Sequence, residues 1–406
     1  MDKKKKSGLL LLLVCVVWAG AALYKYAQTR PPQKAVLTAV LYRGGGETPE
    51  ALAVLAGEFQ NQYPDIEISF VERSPAELEG DLAPVQQAKG RKGPGAPDII
   101  IADEKSLALL SGDLFESLGS LSQNPELAER AQDGALRLPL VSFIYSLYYH
   151  IAALKEAGFD RPPKTREEFF AYARALPPFS SAVAPNSGGE ELAAWTWAAG
   201  FNFFDGDALR APALADSFNF LQDLISGDLL DPSLLQKTET ENYDDFIAGR
   251  VAMMTASIAG TGYIEQHAPD LEYGITTVPP PAAYTGRPRF ALGNWSAALA
   301  SHSPRKEEAK LFIGFLADAP ANAQLALALS GLPVNISAVS GARAGGGQYD
   351  KILAILETGE AVNELALTPK GPLLERALRE AAVEIMSGTK TSDECVSALE
   401  ALLAGD

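Results

Sequence analysis

The chain has 406 residues, 47% of them hydrophobic and 21% charged, with a formal net charge of −17. That balance is globular, of roughly two to three domains, and excludes both a disordered chain and a polytopic membrane protein. The acidic excess argues against nucleic acid as a partner, because phosphate binding needs a basic footprint; it leaves small ligands open, since net charge reports solubility and encounter rather than a site.

Residues 1–24 differ from the rest. Lys3, Lys4, Lys5 and Lys6 form a basic start, residues 9–18 an apolar run, and Ala19, Gly20 and Ala21 the small residues of a secretory cleavage site. Cleavage after Ala21 is one reading. An uncleaved anchor is a second, because residues 8–24 reach the low end of the roughly 17–25 residues that span a bilayer. Lipidation at Cys15 is a third, with Leu12 three positions before it, although Val14 stands where a small residue is wanted. All three place the bulk of the chain outside the cytoplasmic membrane. Without residues 1–24, which hold four lysines and one aspartate, the net charge is −20. Cys395 is then the one remaining cysteine, so no intramolecular disulfide is available and its expected role is a small residue on a C-terminal helix.

Residues 25–35, with Pro31 and Pro32, read as a linker. A first strand over 36–42 leads into Arg43, three glycines (44–46) and Glu47. A helix follows, with Thr48 as its cap, Pro49 at its first position, and Leu52, Leu55, Phe59 and Tyr63 as its buried stripe. Pro64 stops it. Ile66, Ile68 and Phe70 alternate as a second strand. Residues 99–102 form the continuous apolar run of a parallel strand covered on both faces. Strands alternating with helices predict an α/β fold. Residues 89–97, rich in Gly and Pro, read as a loop.

From 145 the pattern is a strand ending in tyrosines, a short helix, a Pro-Pro loop and a second helix. Thr165 and Glu168 have capping-box spacing there, and Phe169, Phe170, Ala173 and Leu176 form the apolar face. Residues 190–235 are mostly helical and carry an aromatic cluster that includes Trp195, Trp197, Phe218 and Phe220. Gly249 stops the helix bearing Phe246, and 251–254 is a short strand. A Pro-rich link over 276–281 and 284–288 precedes a strand over 290–299, then a helix capped by Ser303 and Pro304. At the C-terminus Leu374, Leu378, Ala381 and Ile385 share one helix face, and Thr391 with Glu394 opens a last amphipathic helix.

Little in this chain invites catalysis. The triple glycine lacks the Lys-Ser/Thr of a phosphate loop and the spacing of a dinucleotide fingerprint, so it reads as a tight turn letting a helix N-terminus face a cleft. His150, His267 and His302 share no metal-ligand spacing, and nucleophile and zinc signatures are missing. Asp103 and Glu104 imitate a glycosidase pair, but neighbours in an extended chain point to opposite faces. We therefore expect no enzyme, no cofactor and no metal.

The tract from 145 to 176 closely resembles a segment of the family-1, sugar-type solute-binding proteins of ABC importers, in which a strand crossing between lobes ends in Leu-Tyr-Tyr-Asn and continues into "PPkTWdEf". Here it reads Leu147-Tyr148-Tyr149-His150 and then Pro162 to Phe169, with His150 in place of the Asn and Arg166 in place of the Trp. Four further tracts match in family order, at 59–68, 97–118, 246–254 and 293–333, so the resemblance covers nearly the whole chain after residue 24. It implies a periplasmic-binding-protein fold, two discontinuous α/β lobes with a hinge and an interlobe cleft. The lobes are expected over 36–143 with 287–335 and over 144–286 with 336–406, with crossings near 141–145, 279–288 and 333–340. It implies a monomer that captures a sugar or oligosaccharide and delivers it to membrane permease subunits. The alternative is a membrane-tethered sensor or interaction module on the same fold.

Sugar sites combine aromatic platforms with a few polar groups and carboxylates. The resemblance places Arg43, Glu47, Asp103, Glu104, Tyr145, Tyr148, Asn294 and Trp295 at the cleft, with Trp195 as a further aromatic. Tyr149 reads as core. Some stacking positions of sugar binders are missing. Ala102 ends the third strand, Thr255 to Gly260 lacks a Gly-x-Trp, and leucines at 373–374 replace a C-terminal aromatic, which puts the sugar class in question but not the fold.

Overall fold

The computed structural model describes residues 34–42, 50–74, 77–87, 96–119, 135–176, 181–183, 189–206, 208–230, 237–339, 348–368 and 370–404. The N-terminal export segment, most of the linker, the triple-glycine turn with Arg43 and Glu47, and the expected cap Thr48 lie outside the described residues.

Strands β1 (Ala35–Tyr42), β2 (Ile66–Arg73) and β3 (Ile99–Asp103) pair in parallel with β1 in the middle. The two faces of β1 enter different clusters. Leu37, Ala39 and Leu41 pack with Leu52, Leu55 and Phe59 of α1 (Glu50–Gln62), while Val40 and Tyr42 pack with Leu78 and Leu82 of α2 (Leu78–Gln87). This is the period-two alternation of a strand covered on both sides. α3 (Glu104–Ala108) follows β3 with no intervening loop, because Asp103 caps it and accepts the Ser106 N–H at 2.9 Å.

The chain continues through β4 (Phe115–Glu116), the long β5 (Arg137–His150), α4 (Ile151–Glu156), α5 (Arg166–Ala175), β6 (Ser181–Val183) and α6 (Gly189–Ala198). Then come β7 (Phe204–Asp205), β8 (Ala208–Leu209), α7 (Ala211–Ser226), α8 (Glu239–Ile247), β9 (Met253–Ser257), α9 (Gly260–His267) and β10 (Tyr273–Thr276). The last part comprises β11 (Arg289–Ala300), α10 (Lys306–Ala317), α11 (Ala319–Ala328), β12 (Leu332–Pro333), α12 (Gln348–Thr358), β13 (Glu360–Val362), α13 (Glu364–Leu367), α14 (Gly371–Met386) and α15 (Ser392–Ala404).

The main strand order is β2-β1-β3-β11-β5-β9-β6, with β10 and β12 also on β5 and β4 and β13 also on β11. Two strands, β5 and β11, run through the middle and change cores along their length. On β5, Leu138, Leu140 and Val141 pack with β1, α1, α10 and α11; Ile144, Leu147 and Tyr148 pack with α5, α6, α7 and α14. On β11, Phe290 and Ala291 belong to the second core and Ala297 and Leu299 to the first. A third change falls between Leu329 and Leu332. Each core is therefore discontinuous in sequence, and the fold is two α/β units joined by crossing strands. On the second pass the change of core falls inside β11, after the Pro-rich link.

Two helix starts differ from the sequence expectation. Thr165 accepts the Glu168 N–H at 3.2 Å, but the Glu168 carboxylate turns to the Lys164 N–H and the Arg161 guanidinium, each at 2.7 Å, instead of closing the box. The two parallel bonds from the Arg161 guanidinium fix the carboxylate's orientation. Ser303 does not cap α10, whose N-cap is Arg305; its hydroxyl donates to Asp98 at 2.7 Å and ties the chain to the start of β3. The Thr391–Glu394 box does form, with Glu394 accepting the Thr391 N–H at 2.8 Å and Thr391 accepting the Glu394 N–H at 3.3 Å. Cys395 is buried on α15 and unpaired in any disulfide.

Candidate ligand-binding site

A cavity of about 190 Å³ opens where β5 and β11 pass from one core to the other. Asp103, Glu104 and Lys105, at the junction of β3 and α3, form one wall. Glu190 at the start of α6, Ser257 at the end of β9 with Ala259 just beyond it, and Asn363 and Ala366 at α13 form the other. Phe143 and Tyr145 of β5 and Gly293, Asn294 and Trp295 of β11 make the floor. The position, at the carboxyl end of a parallel strand, is where open α/β sheets place ligands.

Five of the expected site residues meet here: Asp103, Glu104, Tyr145, Asn294 and Trp295. Asn294 is fixed by the Ser142 hydroxyl, which donates to its Oδ1 at 2.7 Å. That leaves its amide N–H to reach Glu104 Oε2 at 2.8 Å, where the Asn363 amide also donates at 3.2 Å. The Trp295 ring is half-buried and meets Phe143 edge-on, with centroids 5.5 Å apart and planes at 64°. The Trp295 backbone pairs with Asp103 on β3 and Val141 on β5, and a register shift follows it, so two strands hold the ring in place. A Cβ on Gly293 would meet nothing within 4 Å among the described residues; this glycine widens the cavity rather than admitting a close backbone.

Two expected residues are corrected. Tyr148 is fully buried, with its hydroxyl donating to the Ser257 carbonyl at 2.9 Å. Three positions from Tyr145 along an extended strand, it must point to the opposite face. Trp195 is also fully buried, stacked on Phe220 with centroids 4.3 Å apart and donating to Thr255 Oγ1 at 3.1 Å. It fails as a cleft residue because α6 is enclosed by α7, α14 and β11, so almost no face of it reaches solvent. Tyr149, expected in the core, is half-buried and lies over Gly274, where a Cβ would come within 2.1 Å of its ring. Ala102 and Leu374 are both buried, and neither offers a platform.

The sequence reading missed Lys105, Phe143, Glu190 and Asn363. Phe143 was detectable, since it shares a strand face with Tyr145; Glu190 and Asn363 arrive from distant segments and carried no local signal. Glu190 organises the far wall. Its carboxylate accepts the Tyr145 hydroxyl at 2.9 Å and faces the Lys105 ammonium at 2.7 Å, and Lys105 also lies 3.0 Å from Glu375 on α14. Burial pulls the Lys105 ammonium toward neutrality, but Glu190 and Glu375 outweigh it and hold its pKa above the usual lysine value. Burial pushes the Glu375 carboxyl up, with Lys105 opposing and Glu190 adding to the shift. Lys105 stays charged and joins the two walls. Among the described residues there is no cluster of three or more metal-ligating side chains.

A cavity at the strand crossings of two α/β units defines a ligand-binding protein of the two-lobed periplasmic type. Residues 45–323 match the bacterial extracellular solute-binding protein family, and the chain belongs to that family. Similar solved structures include a maltose-bound protein of T. maritima, 17% identical, covering 91% of this chain and 99% of its own at a TM-score of 0.73. The GacH receptor of Streptomyces glaucescens, solved unliganded and with acarbose, is 16% identical, covering 91% and 99% at 0.71. Binding proteins of Brucella abortus and Brucella suis are 25% identical over 212 residues, 49% of this chain; the chain spans about half the length of the curated relatives it matches. At these identities the solved structures speak for the fold.

Proposed function

We propose that the chain is an extracytoplasmic receptor that captures a carbohydrate between two lobes and delivers it to the permease of an ABC importer. The observation that carries this reading is the lining of the cavity, floor and walls together. There Trp295, Phe143 and Tyr145 supply apolar ring faces, while Asn294, Asn363 and the Glu104 carboxylate supply hydrogen-bonding groups for hydroxyls. The solved relatives with maltose and acarbose support the ligand class. The lobes meet within β5, within β11 and between Leu329 and Leu332, where the chain changes core, rather than at the expected 286/287 and 335/336 boundaries, and ligand favours their closure about β5 and β11. The closed monomer then docks on the permease, and no covalent step occurs. Residues 1–24 export the chain as a signal or anchor, consistent with an extracellular family. The resemblance adds Arg43 and Glu47, which lie outside the described residues, to the expected ligand contacts.

A thermal-shift screen over mono- and oligosaccharides and polyols tests the reading. A saccharide at about 100 times its Kd should add about 2.7 kcal/mol of stability. A screen in which no saccharide shifts the midpoint, while another compound class does, overturns it.

A further inference from the structure

Asn363 is where α13 of the second unit touches Glu104 of the first, and its place in the chain is fixed from both sides. Before it, β13 pairs in parallel with β11, with Val362 opposite Ala291. After it stands Glu364, whose carboxylate is gripped by three N–H donors. The Trp197 indole donates to Oε2 at 2.6 Å, the Phe203 N–H to Oε2 at 3.0 Å and the Phe204 N–H to Oε1 at 3.2 Å. All three donors lie in α6 or within a few residues of its end. Trp197 and Phe203 are buried in the second core and meet edge-on with centroids 5.9 Å apart, so the grip is anchored in close packing. A carboxylate offers lone pairs on both oxygens and can face all three donors without conflict. Glu364 does not itself line the cavity, whereas its neighbours Asn363 and Ala366 do. Asn363 is the N-cap residue of α13, yet its side chain makes no capping bond, which leaves the amide to donate to Glu104 Oε2 at 3.2 Å. The far end of α13 has little slack either, because a Cβ on Gly371 would come within 2.2 Å of the Leu365 carbonyl oxygen.

We infer that Glu364 is a positioning residue of the cleft: gripped by Trp197, Phe203 and Phe204, it fixes the backbone of Asn363 so that the Asn363 amide meets Glu104 across the two units. The tryptophan-rich helix α6, which sends no indole to the cavity, thus acts on it through one carboxylate. The consequence for ligand affinity rests on the reading of this cleft as the binding site; the contact between the units does not, and the chain without ligand tests it.

Urea unfolding of the full chain gives the coupling between Glu104→Ala and Asn363→Ala by a double-mutant cycle, run once with Glu364 in place and once with Glu364→Gln. Glutamine keeps the size of the side chain but sets an N–H₂ group against at least one of the three N–H donors, which loosens the grip. With Glu364 in place the pair should be coupled by about fivefold in the unfolding equilibrium constant, and with Glu364→Gln that coupling should vanish. A residue that only stabilises the fold would weaken all four proteins of the second cycle alike and leave the coupling at its first value. That result overturns the inference, and so does a first cycle in which Glu104 and Asn363 show no coupling. Trp197→Phe removes one donor, keeps most of the ring volume, and replaces Glu364→Gln in the second cycle if that variant folds poorly. It should at least halve the coupling, and an unchanged coupling overturns the inference. A saccharide screen without a hit leaves the cycles untouched, and failed cycles leave the carbohydrate reading in place.

Discussion

Trp295 lines the cavity half-buried, its ring packed against Phe143 with the planes at 64°. Replacing it with alanine should weaken saccharide binding by about 1–3 kcal/mol, as expected for an aromatic anchor, with a much smaller change in unfolding midpoint because the ring is half-solvated already. A large fall in the midpoint with unchanged affinity per folded molecule would make it a core residue instead. His150 illustrates the opposite case. It is buried against Phe246, with Nε2 beside that residue's carbonyl oxygen. Burial lowers its pKa, the carbonyl opposes that, and the result lies below the usual imidazole value. The folded chain thus binds the proton more weakly than the unfolded one. Its contribution to stability is complete above the unfolded pKa of about 6.5 and declines as the pH falls toward the folded value. Urea denaturation from about pH 7 to pH 5 should show His150→Asn losing less stability than wild type; equal losses would assign the acid sensitivity to other groups. Tyr145 and Tyr148 show what one strand discloses. Their spacing alone puts them on opposite faces, but which face meets the cavity follows from the pairing of β5 with β11 and β9.

At the scale of elements, α6 explains why a tryptophan-rich segment contributed no aromatic to the cleft. Leu192, Ala193, Trp195 and Trp197 are all buried, so the helix has no wet face on which an exposed ring would sit. Its hold on neighbours is polar as well as apolar. The Trp197 indole donates to Glu364 at 2.6 Å, and Arg166 of α5 forks onto Asp216 of α7 at 2.9 and 3.1 Å while donating to the Trp195 carbonyl at 2.7 Å. The arginine that replaces a tryptophan in the resembling tract thus links three helices. Trp195→Ala should cost about 3–5 kcal/mol of stability through the cavity it leaves, with ligand affinity per folded molecule unchanged. A binding defect in a variant of normal stability would return Trp195 to the site. The apolar stripes of α1 and α14 were legible as periodicity. The full enclosure of α6 was not, because periodicity only reports a helix with one exposed side.

For the whole molecule, the decisive contact is Lys105. It leaves the first unit from α3 and meets Glu190 and Glu375 of the second, so a charged bridge crosses the cleft. Lys105→Met removes the cation and leaves two carboxylates facing each other. Stability should fall by about 3 kcal/mol, the low end for breaking a buried pair because all three groups keep some water. Small-angle scattering of the free variant should show a larger radius of gyration than wild type, and saturating ligand should reduce the radius of both. Identical radii for free wild type and variant would mean that β5 and β11 alone set the angle between the units.

Several things about this protein were settled by sequence. Alternating strands and helices gave the α/β class, five tracts in the order of a resembling family implied the two-unit architecture, and the same resemblance pointed to Asp103, Glu104, Asn294 and Trp295, which line one cavity. These features are local, written in neighbours along the chain. Only the tertiary structure decided which wall faces them. Glu190, Asn363 and Glu375 come from segments more than 80 residues away from Lys105 and Glu104, and no periodicity links residues brought together by strand crossing. Register decided the rest, because a shift of one position along β5 would turn Phe143 and Tyr145 into the sheet and bring Tyr148 to the cavity.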